Sequence, residues 1–169
     1  MIIQPSVVHG PRDQAWTVSS LKLMKAGSMI LPDHGRGLVT PIYIDDLVDG
    51  ILAVAERGRI GESYILAGEQ TVTFREFFGY LSRMEGRDRL PSIPGWLAVA
   101  AAAASELFAW LTGAEPRFRI EPVRGTMRNV RYSTAKARAL GFTARIGLLE
   151  GMRREEEWLA AEEQSYLRP

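Results

Sequence analysis

The run Tyr64-Ile65-Leu66-Ala67 has no polar residue at alternating positions. A strand with one face in water alternates, whereas one covered on both faces by helices does not, so 62–67 reads as a strand buried in a parallel sheet. A second strand signal, Ile2–Gln4, is ended by Pro5, which has no amide to give a neighbouring strand. A mixed insertion separates the two signals, and a largely helical tail over 94–164 follows. Two parallel strands make a poor sheet alone. The expected fold is therefore α/β, a single unit over 1–169 whose parallel sheet is incomplete within the chain.

Between the strands, Trp16, Val18, Leu21, Leu23 and Met24 follow helical spacing and Gly27 stands at the usual stop, predicting a helix over 16–26. Residues 29–31 read as a strand, 32–37 as a turn and 38–44 as an extended stretch. Asp45 and Asp46 occupy the places of a helix cap and first-turn acids, ahead of Leu47, Val48, Ile51, Leu52 and Val54 on one face. Thr73 and Glu76 form a capping box for a helix carrying Phe74, Phe77, Phe78 and Leu81. Ser133 is expected to cap a short helix to Leu140, and a final helix runs from Leu148 to about Glu163. There Arg153–Glu157 reads as a solvated face, with Trp158 and Leu159 anchoring the helix to the core.

Composition narrows the function classes. The chain carries 21 basic and 20 acidic side chains, so no strong overall field attracts nucleic acid or an anionic membrane. It has no cysteine, which excludes disulfides, thiol catalysis and cysteine metal sites, and His9 and His34 alone give little basis for a metal centre. The first residues lack the basic start and long apolar run of a secretory signal, so the chain is read as cytoplasmic. WLAVAAAAASELFAWL, from Trp96 to Leu111, is short for a membrane span and carries Glu106, a costly residue at a bilayer centre. It is read as a buried or surface-packed helix, with attachment along a membrane surface as the alternative.

The order of these segments resembles a known family. IIQPSVVHGPRD looks like the segment that follows the catalytic helix in extended short-chain dehydrogenases/reductases, the NAD-dependent epimerase/dehydratase group. TPIYIDDLVDGILAVAERG is similar to that group's helix after the substrate loop, and GESYILAGEQTVTFREFF to its last sheet strand and the following helix. LTGAEPRFR, YSTAKARALGF and LLEGMRREEEWL resemble the tail of the branch near dihydroflavonol reductases and 3β-hydroxysteroid dehydrogenases. The resemblance implies the C-terminal half of a Rossmann-type enzyme, entered at its sixth strand, with a mostly helical substrate domain. The glycine-rich cofactor turn and the catalytic tyrosine and lysine would then belong to the other half, and this chain would hold no catalytic residue.

The same resemblance implies roles for six residues. Pro5, Ser6, Val7 and Val8 fall on the loop that runs beside the nicotinamide of NAD or NADP in a full-length parent; no cofactor is expected to bind this chain alone. His9, in place of a tyrosine, and Arg12 fall at the substrate mouth, while Gln4 replaces an arginine. Sugar-nucleotide epimerases of the group carry a phosphate-holding arginine where this chain has Val39, Thr40 and Pro41. The missing clamp favours a less charged substrate, such as an alcohol, a ketone or a terpenoid-like molecule.

Two motifs imitate the missing half. Tyr132 and Lys136 satisfy Tyr-x-x-x-Lys spacing, but Ser133 reads as the helix cap and leaves Tyr132 outside. Gly35-Arg36-Gly37 follows polar residues rather than a strand, so a tight turn explains it better than a phosphate loop. The leading expectation is the substrate-binding portion of an NAD(P)-dependent oxidoreductase or epimerase, partnered by a small-molecule substrate and a missing N-terminal half or a second copy. The alternatives are a non-catalytic interaction module pairing through its unfinished sheet, and a membrane-surface protein.

Overall fold

Parallel pairing joins the two strands singled out by sequence. In the computed structural model, which describes residues 1–166, β1 (Ile2–Pro5) lies beside a distant strand, Ser63–Leu66, with Ile2 opposite Ser63 and Pro5 opposite Leu66. The distant strand is not buried on both faces as expected. Tyr64 and Leu66 are buried in the core while Ser63 and Ile65, on the other face, are half-buried; the neighbouring β1 is largely exposed, Ile2 by 58%. Among the described residues β1 has this one strand partner.

After β1 the chain makes β2 (Val8–His9), then a wide helical turn (Gln14–Val18) that runs straight into α1 (Ser19–Lys25). The helix thus begins two residues before the sequence expectation, because Asp13 caps it: its carboxylate accepts from the amides of Ala15, Trp16 and Thr17. β3 (Leu31–Pro32), a short helical turn over Asp33–Gly35, β4 (Leu38–Val39) and β5 (Ile42–Tyr43) complete the insertion. β2 pairs with β5 in parallel, as a two-stranded sheet separate from that of β1.

α2 (Ile44–Arg57) follows, and here the capping expectation fails. Tyr43 precedes the helix with no side-chain cap, and Asp46 is buried with its two oxygens accepting from the amides of Arg145 and Ile146. The acid serves a distant loop instead of its own helix, which sequence spacing does not reveal. The expected apolar face is also split: Leu47, Ala53 and Val54 are buried, while Val48, Ile51 and Leu52 are exposed.

The remaining elements are β6 (Ser63–Leu66), β7 (Val72–Thr73, antiparallel to β4), α3 (Phe74–Met84), β8 (Ser92–Ile93, parallel to β3) and α4 (Gly95–Thr112). α5 (Ile120–Gly125), α6 (Ala135–Arg138) and α7 (Leu148–Tyr166) close the described chain. The Thr73–Glu76 capping box forms as read from sequence, and Phe74, Phe77, Phe78 and Leu81 are buried. α6 is shorter than expected and begins after Thr134, with no side-chain cap from Ser133.

Two apolar clusters hold the fold. One gathers α1, α3 and α7 around Phe77, Leu21, Met24 and Met152; the other lies between α2, β6 and Phe142. Side chains of this size stabilise by about 1.5–3 kcal/mol each when fully buried, so the α3 phenylalanines and Leu81 are the main anchors of the first cluster.

Candidate functional site

Pro5 ends β1, and the loop that leaves it is fastened at three points. The Ser6 amide donates to the Leu66 carbonyl, the Ser6 hydroxyl donates to the Thr40 carbonyl, and the Val7 carbonyl accepts from the Ile42 amide. Gly10 then takes a φ of +146°, and a side chain there would meet Ile44 Cγ2 at 2.7 Å. The loop is thereby held as a rigid rim at the carboxyl end of β1, the position at which open α/β sheets bind ligands.

Beside this rim lies a cavity of about 520 Å³ whose wall includes Ser6, Val7, Trp16, Leu38, Val39 and Tyr132. Asp13 capping places Trp16, whose ring stacks on Phe74 with centroids 6.0 Å apart; Phe74 in turn stacks on Phe78. The outer wall comes from the end of α5 and the segment after it, through Pro122, Thr126 and Tyr132. No charged side chain lines the cavity, and Tyr132 is its one titratable residue. Such a site offers shape, aromatic surface and a few hydroxyls, and no anchor for a phosphate.

A larger groove, about 630 Å³, lies between α3 and α7. Its Glu150 carboxylate is already occupied by the guanidinium groups of Arg153 and Arg154, and no residue of the β1 rim lines the groove. Position at the strand ends makes the smaller cavity the candidate site.

Of the six residues singled out in sequence, Ser6 and Val7 line this cavity. Pro5 is exposed at the end of β1, and Val8 packs against the second apolar cluster. His9 is 1% exposed and turned away from the cavity, its Nδ1 donating to Glu155 Oε1 at 2.9 Å and its ring edge-on to Tyr43 and Phe77. Arg12 is exposed, with a φ of +67°, outside the cavity wall. Glu155 corrects a further expectation: the solvated face over 153–157 contains one wholly buried carboxylate, which serves His9 and Thr17. Behind the rim, burial pushes the Tyr43 phenol up, and the Asp45 carboxylate adds to that push.

The two imitating motifs resolve on packing. The Lys136 ammonium is bound to the Glu62 carboxylate, while Tyr132 lies outside α6 and lines the cavity. Gly35 and Gly37 are glycines because side chains there would collide with the backbones of Arg75 and Thr126, at 2.9 and 2.0 Å. Sequence reasoning missed Trp16, Leu38, Val39, Phe74, Pro122 and Thr126 as cavity residues. The Asp13 cap could have placed Trp16; the others meet through pairings between distant short strands, for which the sequence carries no local signal.

With fold and site described, the architecture is a mixed α/β fold with short parallel strand pairs, similar to about half of each of several Rossmann-type epimerases and dehydratases of known structure. No family model matches the chain. It is 27% identical over 158 residues to 4-hydroxy-2-methyl-3-oxo-4-farnesyl-3,4-dihydroquinoline-1-oxide ketoreductase of Stigmatella aurantiaca, covering 90% of this chain and 47% of that protein. Among solved structures, gox2253 superposes with a TM-score of 0.71 at 24% identity, over 99% of this chain and 50% of that one. The dTDP-glucose 4,6-dehydratase DesIV of Streptomyces venezuelae, solved with NAD, superposes with a TM-score of 0.66 at 19% identity, over 98% of this chain and 45% of that one. The chain spans about half the length of the curated relatives it matches.

Proposed function

We propose that this chain supplies the substrate side of a cytoplasmic NAD(P)-dependent oxidoreductase, of the branch near dihydroflavonol reductases and 3β-hydroxysteroid dehydrogenases, that moves a hydride at a carbinol or keto carbon of an apolar substrate. The observation that carries the reading is the uncharged, aromatic-walled cavity at the carboxyl end of β1. The ketoreductase relative, named for a substrate that bears a farnesyl chain, supports the same chemistry.

The residues present fit one end of a dinucleotide. The Ser6–Val7 rim is an apolar edge on which a nicotinamide ring can lie, although the Ser6 amide and hydroxyl are already committed inside the protein. The glycines at 35 and 37 are filled by close packing, so they do not form a phosphate cradle. A nicotinamide, when bound, supplies the hydride; this chain's residues position the substrate and exclude water. The pyrophosphate turn and the acid/base tyrosine are assigned to a partner half.

Calorimetric titration of the chain with farnesylacetone, UDP-glucose and NADH tests this reading. Farnesylacetone is expected to bind, with neither UDP-glucose nor NADH binding in the micromolar range. UDP-glucose binding without the ketone, or micromolar NADH binding to this chain alone, overturns it.

A further inference from the structure

A third cavity, about 460 Å³, opens between α1, α4, α5 and the strand pair formed by β3 and β8. That volume lies within the range of about 300–1,000 Å³ usual for small-molecule sites. No residue lines both this cavity and the candidate site. α5 gives Pro122 and Gly125 to the candidate site and Val123 to this cavity, so the two hollows meet different faces of one short helix.

Its wall is aliphatic. Pro32 and Ile93 come from the strand pair, Ala98 and Ala101 from α4. Phe118 is the one aromatic ring in it, so there is no stacked platform such as Trp16 and Phe74 make in the candidate site. Leu23, Ile30 and Phe118, from three separate stretches of chain, line the cavity while remaining 47%, 48% and 52% exposed. Apolar side chains scattered singly over a surface carry no meaning, but three converging on one hollow expose a surface that an apolar ligand would take out of water.

Polar groups in the wall are few, and one of them is uncommitted. The Ser28 hydroxyl donates to the Leu23 carbonyl. Arg117 is the one charged side chain in the wall. Its guanidinium lies over the Phe118 ring and has no carboxylate partner among the described residues, whereas Arg128, further along the same segment, is bound to Glu121.

We infer that this cavity binds a medium-chain fatty acid, its alkyl chain along the aliphatic wall and its carboxylate on Arg117. A single guanidinium matches a monoanion, and its planar fork suits a carboxylate. A flat ring system finds no second ring to stack against, and a sugar or nucleotide finds too few hydrogen-bonding groups. An aliphatic chain is what the wall complements. The inference is independent of the candidate site's ligand.

Calorimetric titration with octanoate, decanoate, dodecanoate and decanol, each kept monomeric in solution, provides the test. Affinity is expected to rise about tenfold with each two methylenes added along the acid series. Decanol should bind about fivefold more weakly than decanoate, the difference an exposed ion pair makes. Arg117→Gln should remove that preference and leave decanol binding unchanged. Ala101→Phe, at an exposed position of α4, puts a ring into the cavity and should weaken both ligands about tenfold; circular dichroism checks that the variant folds. A chain that binds none of the acids overturns the inference, as does an Arg117→Gln variant that still prefers decanoate to decanol. Decanoate binding that Trp16→Leu weakens and Ala101→Phe leaves unchanged also overturns it, by placing the acid in the candidate site.

Discussion

Glu155, on the last helix, holds His9, on the loop that leaves the first strand: Nδ1 and Oε1 are 2.9 Å apart and both side chains are buried. The other carboxylate oxygen lies 3.0 Å from the Thr17 hydroxyl, which is also 3.1 Å from Asp13, so one proton serves two carboxylates. Through this network α7 is tied both to the rim containing Ser6 and Val7 and to the turn that carries Trp16.

Removing Glu155 should therefore cost more than an ordinary polar substitution. Glu155→Ala leaves His9 without its buried acceptor and Thr17 with Asp13 alone, for an expected loss of about 1–3 kcal/mol, while Glu155→Gln keeps one acceptor and loses less. Denaturant titration of the two variants measures the difference, with equal losses counting against the network.

Gly151 lies where α7 crosses the same histidine. A Cβ at this position would stand 2.5 Å from His9 Cε1 and 3.0 Å from Tyr43 Cδ2. Replacing a helical glycine by alanine normally gains about 1 kcal/mol, but overpacking costs about 1–3 kcal/mol, and Glu155 pins the ring that would have to move. Gly151→Ala should lower Tm, whereas the same change at Gly125, where nothing lies near, should not.

Much of the fold was legible from sequence, and the reasons differ by element. β1, β6 and α3 announce themselves through local rules: a proline stop, an apolar run, a capping box with its phenylalanines. Asp46 and Glu155 misled because each looks like a solvent-facing helix acid, while its partner lies 99 or more residues away. The cavity was half visible. Ser6 and Val7 follow from the strand's position, but Leu38 and Val39 reach it through a two-residue antiparallel pairing with Val72 and Thr73, too short to leave a pattern.

Acid sensitivity should concentrate at Glu150. The Arg153 guanidinium, followed by that of Arg154, pulls its carboxyl from 4.5 to about 2. A lowered folded value means the contribution is fully present above pH 4.5 and is lost as pH falls toward 2. The group is exposed, so salt screens it. Thermal melts of Glu150→Gln at low salt should depend less on pH in that window than those of the parent chain, and the difference should vanish in molar salt.

Trp16 should decide affinity in the candidate site, because it is the largest aromatic surface in the cavity wall and its stacking on Phe74 fixes its plane. Trp16→Leu keeps an apolar side chain but removes the flat face, which should weaken farnesylacetone binding about tenfold. Tyr132→Phe, which removes only a hydroxyl at the outer wall, should change it little. Calorimetry on both variants separates an aromatic platform from a phenol-directed site: a larger loss from Tyr132→Phe than from Trp16→Leu would mean that the hydroxyl, and not the ring stack, recognises the ligand.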